Sequence, residues 1–293
     1  MSALPERFES VAALEDFMTE PAPALIDDLA RAPGDILILG VAGKMGPTLA
    51  RMAKRSAPER SVIGVARFSD AAARRALDRA GVETIACDLL DRAAVAALPR
   101  ATNVVFMAGM KFGATGNEPL TWAMNVHVPA LVAEAYRGSG IVAFSTGCVY
   151  PFVPVASAGA TEDTPAIPPP GDYANSCLGR ERMFAYFSGR HGTPGRIVRL
   201  NYAIDMRYGV LHDVARKVRD GADDPAQRHR SGDHRRALAC RGVRPADGQD
   251  AAPRRHGGGD RLAQRCLAHG RRIRPAAGAA RAHDRVDGRL GRA

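Results

Sequence analysis

Three evenly spaced glycines, Gly40, Gly43 and Gly46, form the most chemically suggestive pattern in the chain. They follow an apolar run at 36–39 and precede a helical segment at 47–56. In a strand–turn–helix unit, Gly40 would allow the tight turn. Gly43 would let the backbone approach a pyrophosphate, and Gly46 would let the helix pack close to the sheet. The helix N-terminus would then face the phosphate charge, with Lys44 and Met45 in the same loop. A glycine triplet alone also suits a plain structural turn; its place in a strand–helix series is what favours a dinucleotide. The five cysteines (Cys87, Cys148, Cys177, Cys240 and Cys266) show no CxxC or Cys/His metal spacing. No metal is expected, and the thiols read as free in a reducing cytoplasm.

A sheet must carry such a loop. From Asp35 onward, short apolar runs at 36–39, 62–65, 84–86, 104–107, 141–144 and 196–200 alternate with helical segments at 47–56, 71–80, 93–98, 120–136 and 173–187. Apolar strands separated by helices imply right-handed βαβ units around a buried parallel sheet. The expected fold class is α/β, a doubly wound parallel sheet of Rossmann type. Residues 1–34 read as a helical extension, closed by Pro33-Gly34. Residues 35–220 read as the nucleotide-binding domain and 221–293 as an Arg-rich tail. No internal repeat is present.

Composition sharpens that division. The 293 residues are 46% apolar and 25% charged, which suits a sizeable core and neither a disordered nor a membrane protein. No apolar run reaches the roughly 18 residues of a membrane span. The N-terminus has no basic start followed by an apolar run, so no secretory signal is expected. The net charge of +10 is concentrated: residues 221–293 carry 17 Arg and 8 Asp, with no Lys or Glu. The first 220 residues hold 24 basic and 23 acidic side chains, and all 16 aromatics. Three readings of the tail stay open. One is a basic arm for nucleic acid or an acidic membrane, although it has no Lys or stacking aromatics. Another is an unselected or disordered tail. The favoured one is a GC-rich gene translated out of frame from about residue 222, which would lose residue types with AT-rich codons and leave the substrate lobe incomplete. Nucleic acid is therefore a disfavoured partner.

The GxxGxxG spacing resembles the extended short-chain dehydrogenase/reductase family, the NAD-dependent epimerase/dehydratase group, and further landmarks follow in that family's order over residues 35–210. Asp88-Leu89 sits where the family has an Asp contacting adenine, although Asp88 also reads as a helix N-cap near Asp91. Met107-Ala108-Gly109 resembles the small-residue motif beside the cofactor, and Asn125 lies in the following helix, where an ordinary polar role is the alternative. Residues 144–151, with Thr146, resemble the fifth-strand motif, and Tyr173 opens the active-site helix. The resemblance implies an NAD(P) cofactor bound through Gly40, Gly43, Lys44, Met45, Gly46, Asp88, Leu89, Ala108, Gly109 and Asn125. At the end of the second strand an acidic residue usually binds the ribose hydroxyls; here Ala66 and Arg67 stand there. Arg67 gives a weak preference for NADP(H), unless it is simply a solvated arginine.

In this family a Tyr acts as acid/base on a substrate hydroxyl, helped by a Ser or Thr. A Lys four residues later holds the nicotinamide ribose and lowers the Tyr pKa. The resemblance assigns these roles to Tyr173 and Thr146. The lysine position holds Cys177 instead, which reads as a small buried helix residue or a reactive thiol. Lys111, leaving the fourth strand at its carboxyl edge, is the best substitute, the alternative being a solvated loop lysine. Arg180 is seven residues past Tyr173, about 10 Å along the helix axis, and is expected to lie too far away. The Asp-Glu pair of nucleotide-sugar dehydratases is replaced by Gly147 and Cys148, which disfavours dehydration. The expectation is an NAD(P)-dependent oxidoreductase or epimerase for a small sugar or sugar-derived substrate, with a homodimer as one admissible assembly. A catalytically silent NAD(P)-binding protein is the alternative.

Overall fold

The computed structural model describes residues 5–111, 115–154, 156–201 and 205–220, together with a two-residue strand at Arg271–Arg272. The expectations for the rest of 221–293 lie outside the described residues. Six parallel strands, β1 (Ile36–Leu39), β2 (Val62–Ala66), β3 (Glu83–Ala86), β4 (Asn103–Phe106), β5 (Gly140–Thr146) and β6 (Gly195–Leu200), pair in the order β3-β2-β1-β4-β5-β6. The strand β7 (Arg271–Arg272) pairs antiparallel with β6. The doubly wound Rossmann-type sheet is thus as the alternating apolar runs imply. The apolar runs work because both faces of the sheet are covered. Leu37 and Leu39 enter one core with Phe106, Tyr136 and Phe184. Ile36 and Ile38 enter the other with Val62, Leu77 and Val82.

Strand order reverses between β1 and β4, where Leu39 pairs with Val65 on one side and Phe106 on the other. Connections after β1 and β4 therefore leave in opposite directions and open a crevice at the carboxyl edge. The helices run α1 (Val11–Met18), α2 (Pro23–Ala30), α3 (Gly46–Ser56), α4 (Ala71–Arg79) and α5 (Arg92–Ala97). Ser10, Asp70 and Asp91 cap α1, α4 and α5 by accepting backbone amides of the first turn.

The continuous helix expected over 120–136 is interrupted. It resolves into α6 (Glu118–Trp122), a π-turn (Ala123–His127) and α7 (Val128–Ala135). Pro129 has no N–H to donate to the Asn125 carbonyl, and Val128 donates its N–H to Ala123, five residues back. A 3₁₀ turn (Gly147–Val149) follows β5. The helix α8 (Asp172–His191) runs to Gly192, whose φ of 70° provides the left-handed cap. Beyond β6, a bridge between Asp205 and Tyr208 leads into α9 (Val210–Arg219).

The N-terminal extension is tied to the domain by charge. Arg207 donates to Glu15 of α1 at 2.8 Å, to Thr48 Oγ1 of α3 at 2.9 Å and to Asp205 at 2.7 Å. Arg51 of α3 pairs with Asp16, and Arg55 donates to the Asp16 carbonyl.

Candidate functional site

The loop between β1 and α3 uses its three glycines in three different ways. Gly40 has φ +92°, and a Cβ there would lie 2.6 Å from the Ala108 amide nitrogen, so the turn must cross β4 closely. A Cβ at Gly46 would overlap the Val41 carbonyl, so α3 approaches the strand only with glycine. At Gly43 the nearest atom to an added Cβ is the Gly40 carbonyl oxygen at 3.4 Å, and the residue is exposed. That is an open cradle. The N-terminus of α3 has no side-chain cap, so its first-turn amides suit an anion better than a neutral group. Lys44 Nζ lies 5.4 Å from the Tyr208 ring centroid, and Met45 is the α3 N-cap residue. These features fit a dinucleotide pyrophosphate.

The adenosine end of such a ligand would meet the carboxyl ends of β2 and β3. Arg67 is exposed directly after β2. Phe68 follows at φ 51°, with the Arg74 guanidinium 5.6 Å from its ring centroid. Asp88 is exposed and its Oδ1 accepts the Leu90 amide at 3.0 Å, while the cap of α5 is Asp91. Leu89 is buried against the core beneath.

At the exit of β4, Ala108 is buried and Gly109 exposed. Asn125 lies beneath them, fully buried, turned inward by the π-turn. Its Oδ1 accepts from the Met110 amide at 2.8 Å and from Arg180 Nη2 at 2.6 Å. Its Nδ2 donates to the Met110 carbonyl and to Ser176 Oγ, each at 3.0 Å. All the amide's hydrogen-bonding capacity is used within the protein. Asn125 therefore shapes the cleft through the Met110 backbone.

Tyr173 stands near the start of α8, and the Thr146 side chain at the end of β5 is close enough to act on its phenol. Thr146 Oγ1 also accepts the Cys148 amide at 3.2 Å. Lys111 Nζ lies 5.8 Å from the Tyr173 ring centroid, so the residues assigned to catalysis do meet. Burial raises the Tyr173 pKa well above the usual phenol value, with Cys177 and Cys148 adding to the rise. The Thr146 side chain and the Arg180 charge work against it. Cys177 is buried, its thiol also pushed up by burial, which keeps it neutral.

Arg180 corrects the expectation that it lies out of reach. Side chains on a helix point toward its N-terminus, and a long guanidinium covers the two turns back. Arg180 is 7% exposed and donates from Nη1 to the Phe144 carbonyl at 2.8 Å, two residues before Thr146 on β5, and its charge acts on the Tyr173 phenol. The i+7 spacing on the tyrosine's own helix face is visible in the sequence; what it does not register is the length of the Arg180 side chain that reaches back along the helix. Its neighbour Glu181 is paired elsewhere, with Arg199 through two hydrogen bonds at 2.9 and 2.7 Å and with Ser145 at 2.6 Å.

Among the described residues no group of three or more His, Cys, Asp or Glu side chains is placed to hold a metal ion. None of their helices is long and apolar enough to cross a membrane. A cavity of about 590 Å³ lined by Asp35, Arg100, Tyr136 and Ser139 lies at the amino edge of the sheet, away from these groups.

Residues 36–238 match the family described as NAD dependent epimerase/dehydratase. No curated protein matches. A short-chain dehydrogenase/reductase superfamily protein from Agrobacterium tumefaciens, with bound NAD, is 24% identical over 58% of this chain and 50% of its own, with a TM-score of 0.50. UDP-glucuronic acid 4-epimerase from Bacillus cereus, in complex with NAD, is 19% identical over 64% and 63%, at 0.51. The enzyme WbmG of Bordetella bronchiseptica, in complex with NAD and UDP, is 20% identical over 64% and 60%, at 0.54. The chain thus spans less than two thirds of each of these structures.

Proposed function

The chain belongs to the NAD-dependent epimerase/dehydratase family, and on that footing we propose that it is an NAD(P)-dependent oxidoreductase or epimerase acting on a sugar or sugar-derived substrate. Gly40, Gly43, Lys44, Met45 and Gly46 would hold the pyrophosphate. Arg67, Asp88 and Leu89 would meet the adenosine half, and Ala108 and Gly109 would border the nicotinamide half, with Asn125 supporting them from below. A nicotinamide held there would supply hydride transfer to or from the substrate carbon. Tyr173 takes or gives the proton of the substrate hydroxyl, Thr146 shares the hydrogen bond, and Lys111 brings a cation to the same edge. Arg67 favours NADP(H), because a guanidinium complements a 2′-phosphate. Gly147 and Cys148 offer no acid for dehydration, which leaves redox or epimerisation.

The observation that carries this reading is Lys111 Nζ 5.8 Å from the Tyr173 ring centroid, with Thr146 acting on the same phenol, on the sheet edge that bears the glycine cradle. Relatives of the same fold support the sugar class: one is a UDP-glucuronic acid epimerase and one holds UDP beside NAD. The test is turnover of nucleotide sugars, aldoses and sugar alcohols with NAD⁺ and NADP⁺. The expected result is activity that falls by about 10²-fold or more in Tyr173→Phe. Turnover unchanged in that variant would remove the assignment. Cys177 in the lysine position favours a second reading, a silent NAD(P)-binding protein; its signature is cofactor binding without turnover across the whole panel.

A further inference from the structure

We infer that Arg180 is a positioning residue that supplies the permanent positive charge behind Tyr173, in place of a lysine one turn after the tyrosine. The inference rests on the acid–base role proposed for Tyr173 and deepens it. Its basis is a buried charge with no hydrogen-bonded counter-ion among the described residues. Arg180 is buried, and its hydrogen bonds go to neutral acceptors only, the Phe144 carbonyl and Asn125 Oδ1. Its Nε is buried with no partner among the described residues. The neighbouring carboxylate, Glu181, is already committed to Arg199 and Ser145.

A guanidinium cannot shed its proton to escape burial, so an unpaired one is costly unless an anion forms beside it. Three surroundings hold it in place. Gly109 leaves the room, since a Cβ there would overlap Nη2. The Phe106 ring lies 5.7 Å from Cζ, and Asn125 fixes the guanidinium relative to Met110. The titratable and charged groups that face Tyr173 are Cys177 and Arg180 from α8, Cys148 after β5, and Lys111 after β4. Cys177 and Cys148 are thiols that oppose the phenolate, and Lys111 is exposed to solvent screening. Arg180 is the one cation of this set held in the low-dielectric interior, where its charge acts most strongly. In agreement, the Arg180 charge lowers the pKa of Tyr173 and of Cys177.

The test replaces Tyr173 with a difluorotyrosine, whose phenol ionises at lower pH than tyrosine's, and follows its titration by fluorine NMR in the full chain. Arg180→Gln is expected to raise its pKa by about one unit or more, a tenfold loss in ionisation constant. Lys111→Gln is expected to raise it by less. Arg180→Lys keeps a charge but loses the fork, and is expected to retain most of the shift even where thermal stability falls. That arm carries the test if the glutamine variant does not fold. An unchanged pKa in Arg180→Gln, or a pKa in Arg180→Lys raised as far as in the Lys111→Gln, Arg180→Gln double variant, would overturn the inference. The readout is protonation, independent of turnover, so its failure leaves the Tyr173→Phe test of the proposed function standing.

Discussion

At the residue scale, glycines that look interchangeable in sequence have separable consequences. Gly46→Ala drives a Cβ into the Val41 carbonyl and is expected to destabilise the fold by about 1–3 kcal/mol, read as a lower urea midpoint. The second strand end offers a test of cofactor choice: Arg67→Ala should weaken NADP(H) more than NAD(H) in parallel titrations, and equal losses would make it a surface residue. The raised phenol pKa of Tyr173 has a kinetic sign. A base that must be ionised works better as pH rises, so the alcohol-oxidising rate should climb through the alkaline range. Cys177→Lys would place an ammonium one turn away and shift that limb to lower pH, each unit corresponding to about 1.4 kcal/mol. A pH profile unmoved by the change would show that Tyr173 does not carry the titration.

At the scale of elements, the strands were the most legible feature, because a strand buried on both faces must be apolar along its length, as Ile36–Leu39 is. The glycine loop was legible for a similar reason: at Gly40 and Gly46 the surrounding backbone excludes a Cβ, and at Gly43 the space must stay open for a ligand. Three things were not. Periodicity does not register the N–H that Pro129 lacks, so the π-turn that turns Asn125 inward was read as plain helix. Nor does linear spacing show where a long arginine side chain ends, which hid Arg180. The clasp between α1, α3 and the segment after β6 was also invisible, since Glu15 and Arg207 are 192 positions apart. Arg207 is 18% exposed, so solvent screens part of its ion pairs; Arg207→Ala is expected to cost about 1–2 kcal/mol. Burial pushes the Asp205 carboxyl up, but its hydrogen bonds and ion pair with Arg207 outweigh this and leave it below its usual value. That stabilisation is present above about pH 4 and lost as pH falls through the depressed folded pKa. Arg207→Ala should flatten this acid limb in a stability–pH series.

At the scale of the whole molecule, burial acts in the opposite pH range. Tyr136 is buried and donates to the Pro99 carbonyl at 3.0 Å, and burial is the main cause of its pKa being pushed up to about 12. Its folded value exceeds the unfolded value of about 10, so its contribution holds below pH 10 and is lost as pH rises toward 12. Tyr136→Phe should remove that part of the alkaline loss while costing about 1 kcal/mol at neutral pH. All of this describes a frame built to present one edge of one sheet, and the central claim is that a nicotinamide dinucleotide lies there with its pyrophosphate over Gly43. The most direct test titrates NADH and NADPH into the wild-type chain and into Gly43→Asp, following nicotinamide fluorescence, with far-UV circular dichroism as the check on folding. The account predicts saturable binding to the wild type and its loss in a folded Gly43→Asp, whose carboxylate would occupy the phosphate position. Equal affinity in the two proteins would contradict it.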